Sequence, residues 1–584
     1  MQPKSQIVIL DAGGQYCHLI ARKIRDLGVY AEVRPSETPA AELALAKGIV
    51  ISGGPASVYD PQSPTVDPLL FQTGRPVLGI CYGQQLMAHL LGGTVQRGDK
   101  GEFGLATLDF DGVDTPIFRG LSGPQQIWMS HRDLVSAVPA GFSVLARTST
   151  CPVAAIAEPA RGLYGVQFHP EVVHTTHGKE ILSNFVFDIC GCVADWDPRN
   201  RIPQIELEIR EKVGERNIFF FVSGGVDSTV AYTLCLRALG PGRVRGVYVD
   251  SGLMREGETE FVRHMFDSLG SGAVAVEHAE EQFLAPLASV RDPEQKRHII
   301  GEEFVRVQER IIESRHLLDG RWILGQGTIY PDTIESGGTQ KAATIKTHHN
   351  RVAGIQKLLL EGRIVEPLAQ FYKDEVREIG RELNLPEELL ERHPFPGPGL
   401  AIRCLCSEFD APVRRVDEGY ILPVHSVGVQ GDSRSYAPVL AIEEMVHGRA
   451  VELINSIAGI NRVVSRVATR VPLDRMQARA SSLTPARIDR LRRADAIVRR
   501  LSRQSGFDRH IWQFPVVLIP LGTEAIPDSV VLRPVHSVDG MTAQSVTMPA
   551  PLLDAIGKEL LALDGICGVF YDLTNKPPAT IEWE

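Results

Sequence analysis

The sequence predicts an α/β chain: two doubly wound α/β domains followed by a C-terminal α+β region with an internal duplication. Three observations carry this expectation. At 584 residues the chain has room for roughly three to five domains of 100 to 200 residues each. Short apolar runs alternate with helical stretches from residue 6 to about 190, and again from Ile218 onward, as parallel strands joined by crossover helices do. Beyond residue 400, Pro-Val-His-Ser-Val occurs at 423–427 and again at 534–538. The composition, 43% hydrophobic and 23% charged, is that of a globular protein with large cores. A net charge of -10, from 61 basic and 71 acidic residues, argues against a nucleic-acid partner held through phosphates. Nine scattered cysteines predict free thiols in a reducing compartment. No apolar run approaches a bilayer-spanning length, so no membrane partner is expected. The chain enters the strand-like Ile7 to Leu10 without a leader pattern, which predicts a cytoplasmic location.

The first domain, 1–197, takes its strands from Ile7 to Leu10, Gly48 to Ser52 and Pro76 to Ile80, with a helix over Leu19 to Leu27. The polar stretch Asp195 to Arg201 interrupts the pattern and marks the boundary. The second domain, 198–400, opens with a helix over Ile205 to Val213 and has strands at Ile218 to Val222, Val244 to Val249 and Arg321 to Leu324. Pro394 to Gly399, rich in proline and glycine, cannot continue a helix and closes it. The third region, 401–584, divides into copies of about 401–485 and 486–584. Gly459 to Val464 aligns with Gly565 to Phe570 in the same order as the pentapeptides.

In the first domain a buried-strand run ends on Cys81-Tyr82-Gly83-Gln84-Gln85, and helical periodicity follows in Leu86, Leu90 and Leu91. A cysteine at such a turn is lifted off the sheet to a helix N-terminus, where backbone N–H groups can hold an oxyanion. A free thiol with a pKa of about 8.5 is mostly protonated at neutral pH, so it needs a basic partner. His169-Pro170-Glu171, at the end of another strand-like run, supplies the base and its orienting carboxylate. These segments resemble the class I, triad-type glutamine amidotransferases over about residues 6 to 190. The resemblance implies that Cys81 attacks the glutamine amide, His169 is general base and Glu171 orients it. It further implies that Gly53 and Gly54 of the Ser-Gly-Gly-Pro loop, with Tyr82 and Gln85, form the oxyanion and glutamine pocket. Relatives usually carry Ser-His-Gly-Asp where this chain has Ser130-His131-Arg132-Asp133.

In the second domain the strand Ile218 to Val222 leads into Ser223-Gly224-Gly225-Val226-Asp227-Ser228 and a helix. Paired glycines admit an anion to the backbone, serine hydroxyls add donors, and a helix N-terminus favours negative charge. The loop lacks the Walker lysine, and Asp227 suits a bridging Mg²⁺, so ATP with Mg²⁺ is expected and no prosthetic group. The string is similar to the pyrophosphate loop of ATP pyrophosphatases, which implies ATP contacts from Ser223 to Ser228 and from Val249 at the next strand end. Gly270 to Ala275 fits a loose dinucleotide pattern but precedes a strand, and is set aside. The pairs Cys190-x-Cys192 and Cys404-x-Cys406 lack partners that would complete a zinc site.

Further strings, among them Lys296 to Gly301, Gly327 to Ser336, Ile345 to Asn350 and Lys576 to Glu584, resemble the glutamine-hydrolysing GMP synthetase family from end to end. The resemblance implies amination of XMP to GMP through an adenyl-XMP intermediate, with ATP cleaved to AMP and pyrophosphate and glutamine to glutamate and ammonia. Carried over by motif, Arg297, Asp332, Gln430, Lys576, Thr580 and Glu582 would bind XMP. Lys346, with His348 and His349, would form a catalytic lid. Two C-terminal copies in one chain predict a monomer through an internal pseudo-dimer, with a homodimer as the alternative. A paralog acting on another purine, or a binding protein that has kept the fold, are the competing readings.

Overall fold

The computed structural model describes residues 5–14, 16–110, 115–270, 274–337, 353–430, 433–537 and 543–584. Lys346, His348 and His349 lie outside the described residues. The chain folds as two compact units, Met1–Gln204 with Tyr330–Ala343, and Ile205–Ile329 with Thr344–Glu584. Apart from 198–204 and 330–343, the residues expected as second and third domains thus share one unit.

In the first unit, strands β1 (Ile7–Asp11), β2 (Ala31–Pro35), β3 (Gly48–Ile51), β4 (Val77–Ile80), β5 (Thr94–Phe110), β6 (Gln125–Ala137), β7 (Ser143–Arg147), β8 (Ala155–Glu158) and β9 (Leu163–Val166) form one sheet. Its order is β2-β1-β3-β4-β9-β8-β7-β5-β6. The run from β2 to β9 is parallel, and the rest is antiparallel. Continuous apolar runs such as Ile7 to Leu10, nearly inaccessible to solvent, suit parallel strands covered on both faces. From β7 to β9 the connections are too short for a crossover, so successive strands turn back on one another. The antiparallel half is what the expectation of two doubly wound domains left out. The helix Tyr330–Gly337 is counted with this unit, and Val33 N–H donates to its Tyr330 Oη at 2.5 Å.

The second unit holds a parallel sheet of β10 (Asn217–Val222), β11 (Val244–Asp250), β12 (Val274–His278), β13 (Trp322–Gly325) and β14 (Ile364–Val365). Its order, β12-β11-β10-β13-β14, reverses direction at β10, and ligands bind at such a switch point beyond the strands' carboxyl ends. Further strands are β15 (Ala411–Pro412), β16 (Arg414–Val416), β17 (Gly419–Gln430), β18 (Ser433–Ile442), β19 (Arg462–Thr469), β20 (Gln477–Ala478), β21 (Val516–Ile519), β22 (Leu521–Gly522), β23 (Asp528–Leu532), β24 (Val535–His536), β25 (Gln544–Ser545) and β26 (Ile566–Asp572). One sheet runs β16-β17-β18-β19-β26-β23-β21. β18 and β19 are parallel across the helix Arg449–Ser456, and β23 and β26 are parallel across Ala550–Ala562. The two β-α-β halves meet at the antiparallel pair β19 and β26.

The repeat strings fare unequally against this arrangement. Gly459 and Gly565, each with positive φ, stand at equivalent entrances to β19 and β26. The pentapeptides do not occupy equivalent places: Pro423 to Val427 lies within β17, whereas the second follows β23 and gives β24, paired with β25 in a separate two-stranded sheet. Sheet position follows from the order of the β-α-β connection, which five matching residues do not set.

Candidate active sites

Cys81 follows β4 directly and precedes the helix Tyr82–Leu90, with φ 52° and ψ -107°. Positive φ is unfavourable for a residue with a side chain, so the turn is a strained elbow. Cys81 N–H donates to Val166 O at 2.7 Å, tying the elbow to β9, and the chain leaves β9 toward His169. The His169 Nδ1 lies 2.7 Å from Glu171 Oε1. A Cβ on Gly53 would fall 3.0 Å from His169 Cε1 and 3.5 Å from Cys81 Cβ. Loop, imidazole and thiol therefore converge around one carbon's width, which only glycine leaves open. Burial works against charge on the His169 ring, but the Glu171 carboxylate and the Cys81 sulfur outweigh it and push the ring up to about 10. The arrangement favours an imidazolium beside the sulfur.

The helix that begins at Tyr82 presents its first N–H groups without intrahelical acceptors. The Tyr82 ring is buried, and its hydroxyl donates to Pro64 O at 2.5 Å, so Tyr82 can serve an oxyanion through its backbone. Gln85 Nε2 donates to Asp133 O at 2.7 Å and to Gln167 Oε1 at 3.1 Å. Gln167, absent from the motif reading, in turn donates from Nε2 to Cys81 Sγ at 3.5 Å. Its signal in the sequence is its place two residues before His169, on the same side of an extended segment. Arg132 is exposed, while its neighbour His131 is buried and lies 3.3 Å from Glu102 Oε2.

In the second unit the loop Ser223 to Ser228 leaves β10 at the switch point and opens the helix Val226–Leu239. Ser223 Oγ and Ser228 Oγ are 3.1 Å apart, and Gly225 N–H donates to Ser223 Oγ at 3.2 Å. Gly224 has φ 72°, and a Cβ there would lie 2.4 Å from Val262 Cγ2, so glycine lets the loop pack close to the helix Glu258–Ser268. Arg392 donates to Gly224 O at 3.3 Å and to Glu258 at 2.7 and 2.6 Å, bracing the loop from behind. Val249 lies in the neighbouring β11. Asp227 Oδ2 sits 2.5 Å from Lys373 Nζ, and Asp227 Oδ1 is buried with no partner among the described residues. Lys373 begins the amphipathic helix Lys373–Glu382 and was missed in the sequence, where a lysine at a helix start carries no mark of what it faces.

The residues expected to bind XMP cluster only in part. Arg297 Nη2 donates to Glu584 O at 2.5 Å, and the buried Lys296 next to it lies 2.6 Å from Glu584 Oε2. Thr580 turns its hydroxyl inward to Val427 O at 3.0 Å, while Arg462 and Arg533 donate to its carbonyl at 3.1 and 2.8 Å. Glu582 engages both carboxylate oxygens with Arg403, at 2.9 and 2.7 Å. Lys576 exchanges backbone hydrogen bonds with Ala543 at 2.7 and 3.1 Å. The tail is thus threaded through buried arginines, a scaffold the sequence did not disclose. Gln430 ends β17, and Asp332 stands in the helix Tyr330–Gly337, counted with the first unit.

Comparison with known proteins follows the same division. Residues 8–189 match the family model for class-I glutamine amidotransferases, 202–293 that for NAD synthase, and 501–583 that for the GMP synthase C-terminal domain. A Leptospira interrogans protein described as a "probable GMP synthase (glutamine-hydrolyzing)" is 42% identical over 99% of both chains. GMP synthases (glutamine-hydrolyzing) from Thermomicrobium roseum and Caldicellulosiruptor saccharolyticus are 45% identical over 80% of this chain and 95% of theirs, and 40% identical over 99% of both. Among solved structures, a glutamine amidotransferase from Thermotoga maritima is 18% identical, with a TM-score of 0.27 over 32% of this chain and 98% of its own. With relatives of this identity along its whole length, the chain belongs to the family of glutamine-hydrolysing GMP synthases.

Proposed function

We propose that this chain converts XMP to GMP, using glutamine as nitrogen donor and cleaving ATP to AMP and pyrophosphate. What supports the reading is that one chain carries the Cys81, His169 and Glu171 cluster and the Ser223 to Ser228 loop and aligns end to end with glutamine-hydrolysing GMP synthases. At the first site the Cys81 sulfur attacks the glutamine side-chain carbonyl, and the oxyanion faces the Tyr82 N–H and the Gly53 and Gly54 loop. His169, held by Glu171, gives its proton to the departing nitrogen, and ammonia leaves. Water then cleaves the thioester with His169 taking a proton, and glutamate is released.

At the second site the C2 oxygen of XMP attacks the α-phosphorus of ATP, whose pyrophosphate lies on Ser223 to Ser228 with Val249 near the nucleoside. Ammonia displaces AMP from C2 and leaves GMP. Asp227 fits a Mg²⁺ ligand, because its Oδ1 is a buried oxygen without a partner among the described residues. When bound, the ion would neutralise charge on the departing pyrophosphate. Arg297, Asp332, Gln430, Lys576, Thr580 and Glu582 are the proposed XMP contacts, with Lys346 acting in a lid. Glu582 would meet the purine while Arg403 fixes its carboxylate. The protein is proposed to be cytoplasmic and monomeric, its β19 and β26 halves standing in for a dimer. Incubation with XMP, ATP, Mg²⁺ and glutamine tests the reaction: AMP and GMP form together. AMP release with xanthosine or another oxo-purine in place of XMP would redirect the acceptor.

A further inference from the structure

Gln167 is fully buried, and its hydrogen bonds leave one orientation for its amide. Gln85 Nε2 is a donor only, and it faces Asp133 O at 2.7 Å and Gln167 Oε1 at 3.1 Å. The group that Gln167 turns to Gln85 must therefore be its oxygen, which leaves the nitrogen facing Cys81 Sγ at 3.5 Å. His169 reaches the same sulfur from two residues further on, so one extended segment supplies two donors of different kind. The imidazole gains and loses a proton during turnover. The amide does neither.

We propose that Gln167 is a positioning residue of the glutaminase, holding the Cys81 sulfur through an N–H···S hydrogen bond whose direction Gln85 sets. The inference rests on the reading of Cys81 as the nucleophile. Its use is clearest when charge lies on sulfur and His169 is occupied elsewhere. As the thioester is hydrolysed, a bond forms from water oxygen to the acyl carbon, one water proton goes to His169, and the carbon–sulfur bond breaks with its electron pair on sulfur. The Gln167 N–H already faces that charge and needs no reorganisation to meet it. Gln85, the residue placed in the glutamine pocket, is also the residue that aims the Gln167 amide. Glutamine binding and sulfur positioning are thereby joined through two side chains.

The test uses the full chain and alkylation of Cys81 by iodoacetamide over a pH series, read on the Cys81 peptide by mass spectrometry. In Gln167→Leu the alkylation midpoint is expected to rise by about one pH unit. In Gln167→Glu, which keeps the shape but turns a carboxylate toward the sulfur, it should rise further. Glutaminase kcat should fall in both while KM changes little. A midpoint unmoved in both variants overturns the proposal. So does loss of the near-ultraviolet circular dichroism of native protein in Gln167→Glu, which would make the amide a strut of the core. Failure of the underlying reading looks different: Cys81→Ala would then retain glutamine-dependent synthesis.

Discussion

Lys373 Nζ lies 2.5 Å from Asp227 Oδ2, joining the first residue of a helix to the glycine-rich loop Ser223 to Ser228, 146 positions earlier in the chain. Both side chains keep contact with solvent, so the pair contributes little to stability. Its position instead leaves a cation beside a loop built for anions, free to turn from Asp227 to a phosphate when one arrives. Lys373→Met should therefore lower XMP-dependent AMP release by roughly 10- to 100-fold, the scale of one charge-assisted hydrogen bond, with either nitrogen donor. An unchanged rate would leave Lys373 as a counter-ion of Asp227 alone.

Cys81→Ala should abolish glutamine-dependent GMP formation while an ammonium salt still supports it, because in the proposed mechanism the thiol takes part only in releasing nitrogen. Equal loss with both donors in a folded protein would mean that Cys81 serves the synthetase as well.

The imidazolium form of His169 is held up to about 10 against burial by Glu171 and the Cys81 sulfur, and in the proposed mechanism it sets the alkaline side of the glutaminase. Its folded value lies above the ordinary histidine value of about 6.5. The stability it contributes is thus fully present below pH ~6.5 and is lost as pH rises through about 10. Glutaminase activity should decline along the same limb, and Glu171→Gln should move that limb to lower pH by at least about one unit. A pH profile of glutamate release checks this. A limb that stays in place would assign it to another group.

Asp572 is buried between Arg462 and Arg533, at 2.6 and 2.8 Å, and accepts from Trp583 Nε1 at 2.9 Å. Burial opposes its charge, yet the two guanidinium groups hold the carboxyl below its ordinary value. Asp572→Asn leaves two buried cations without their anion, and removing one partner of a buried pair costs roughly 3–5 kcal/mol. Urea unfolding followed by tryptophan fluorescence should show the loss. A change of a few tenths of a kcal/mol would mean that water reaches the arginines.

The two halves that meet at β19 and β26 form one continuous sheet within one chain. Light scattering should accordingly give a particle near the chain mass of 64.1 kDa at micromolar concentration. A concentration-independent mass of twice that value would show that the internal pairing leaves another face for a second copy.

Where backbone shape depends on a few consecutive residues, it was legible in the sequence. The elbow at Cys81, the His169 to Glu171 step and the loop Ser223 to Ser228 each need a backbone shape that neighbouring residues dictate, and a reader of the chain meets the whole device at once. The alternation of apolar runs likewise disclosed β1, β3, β4 and β10, because strands buried on both faces must be apolar throughout. Folding alone decided what those devices touch. Gln167 meets Cys81 and Gln85, Lys373 meets Asp227, and Arg403 meets Glu582. In each case an unremarkable polar residue receives its role from a partner 82 or more positions away. The pentapeptide repeat errs for the same reason from the other side: its identity is local, but a strand's place in a sheet is set by which strand it pairs with. Side-chain type and local spacing are properties of the chain, whereas burial, pairing and the charge state of His169 exist only once distant segments have excluded water from between them.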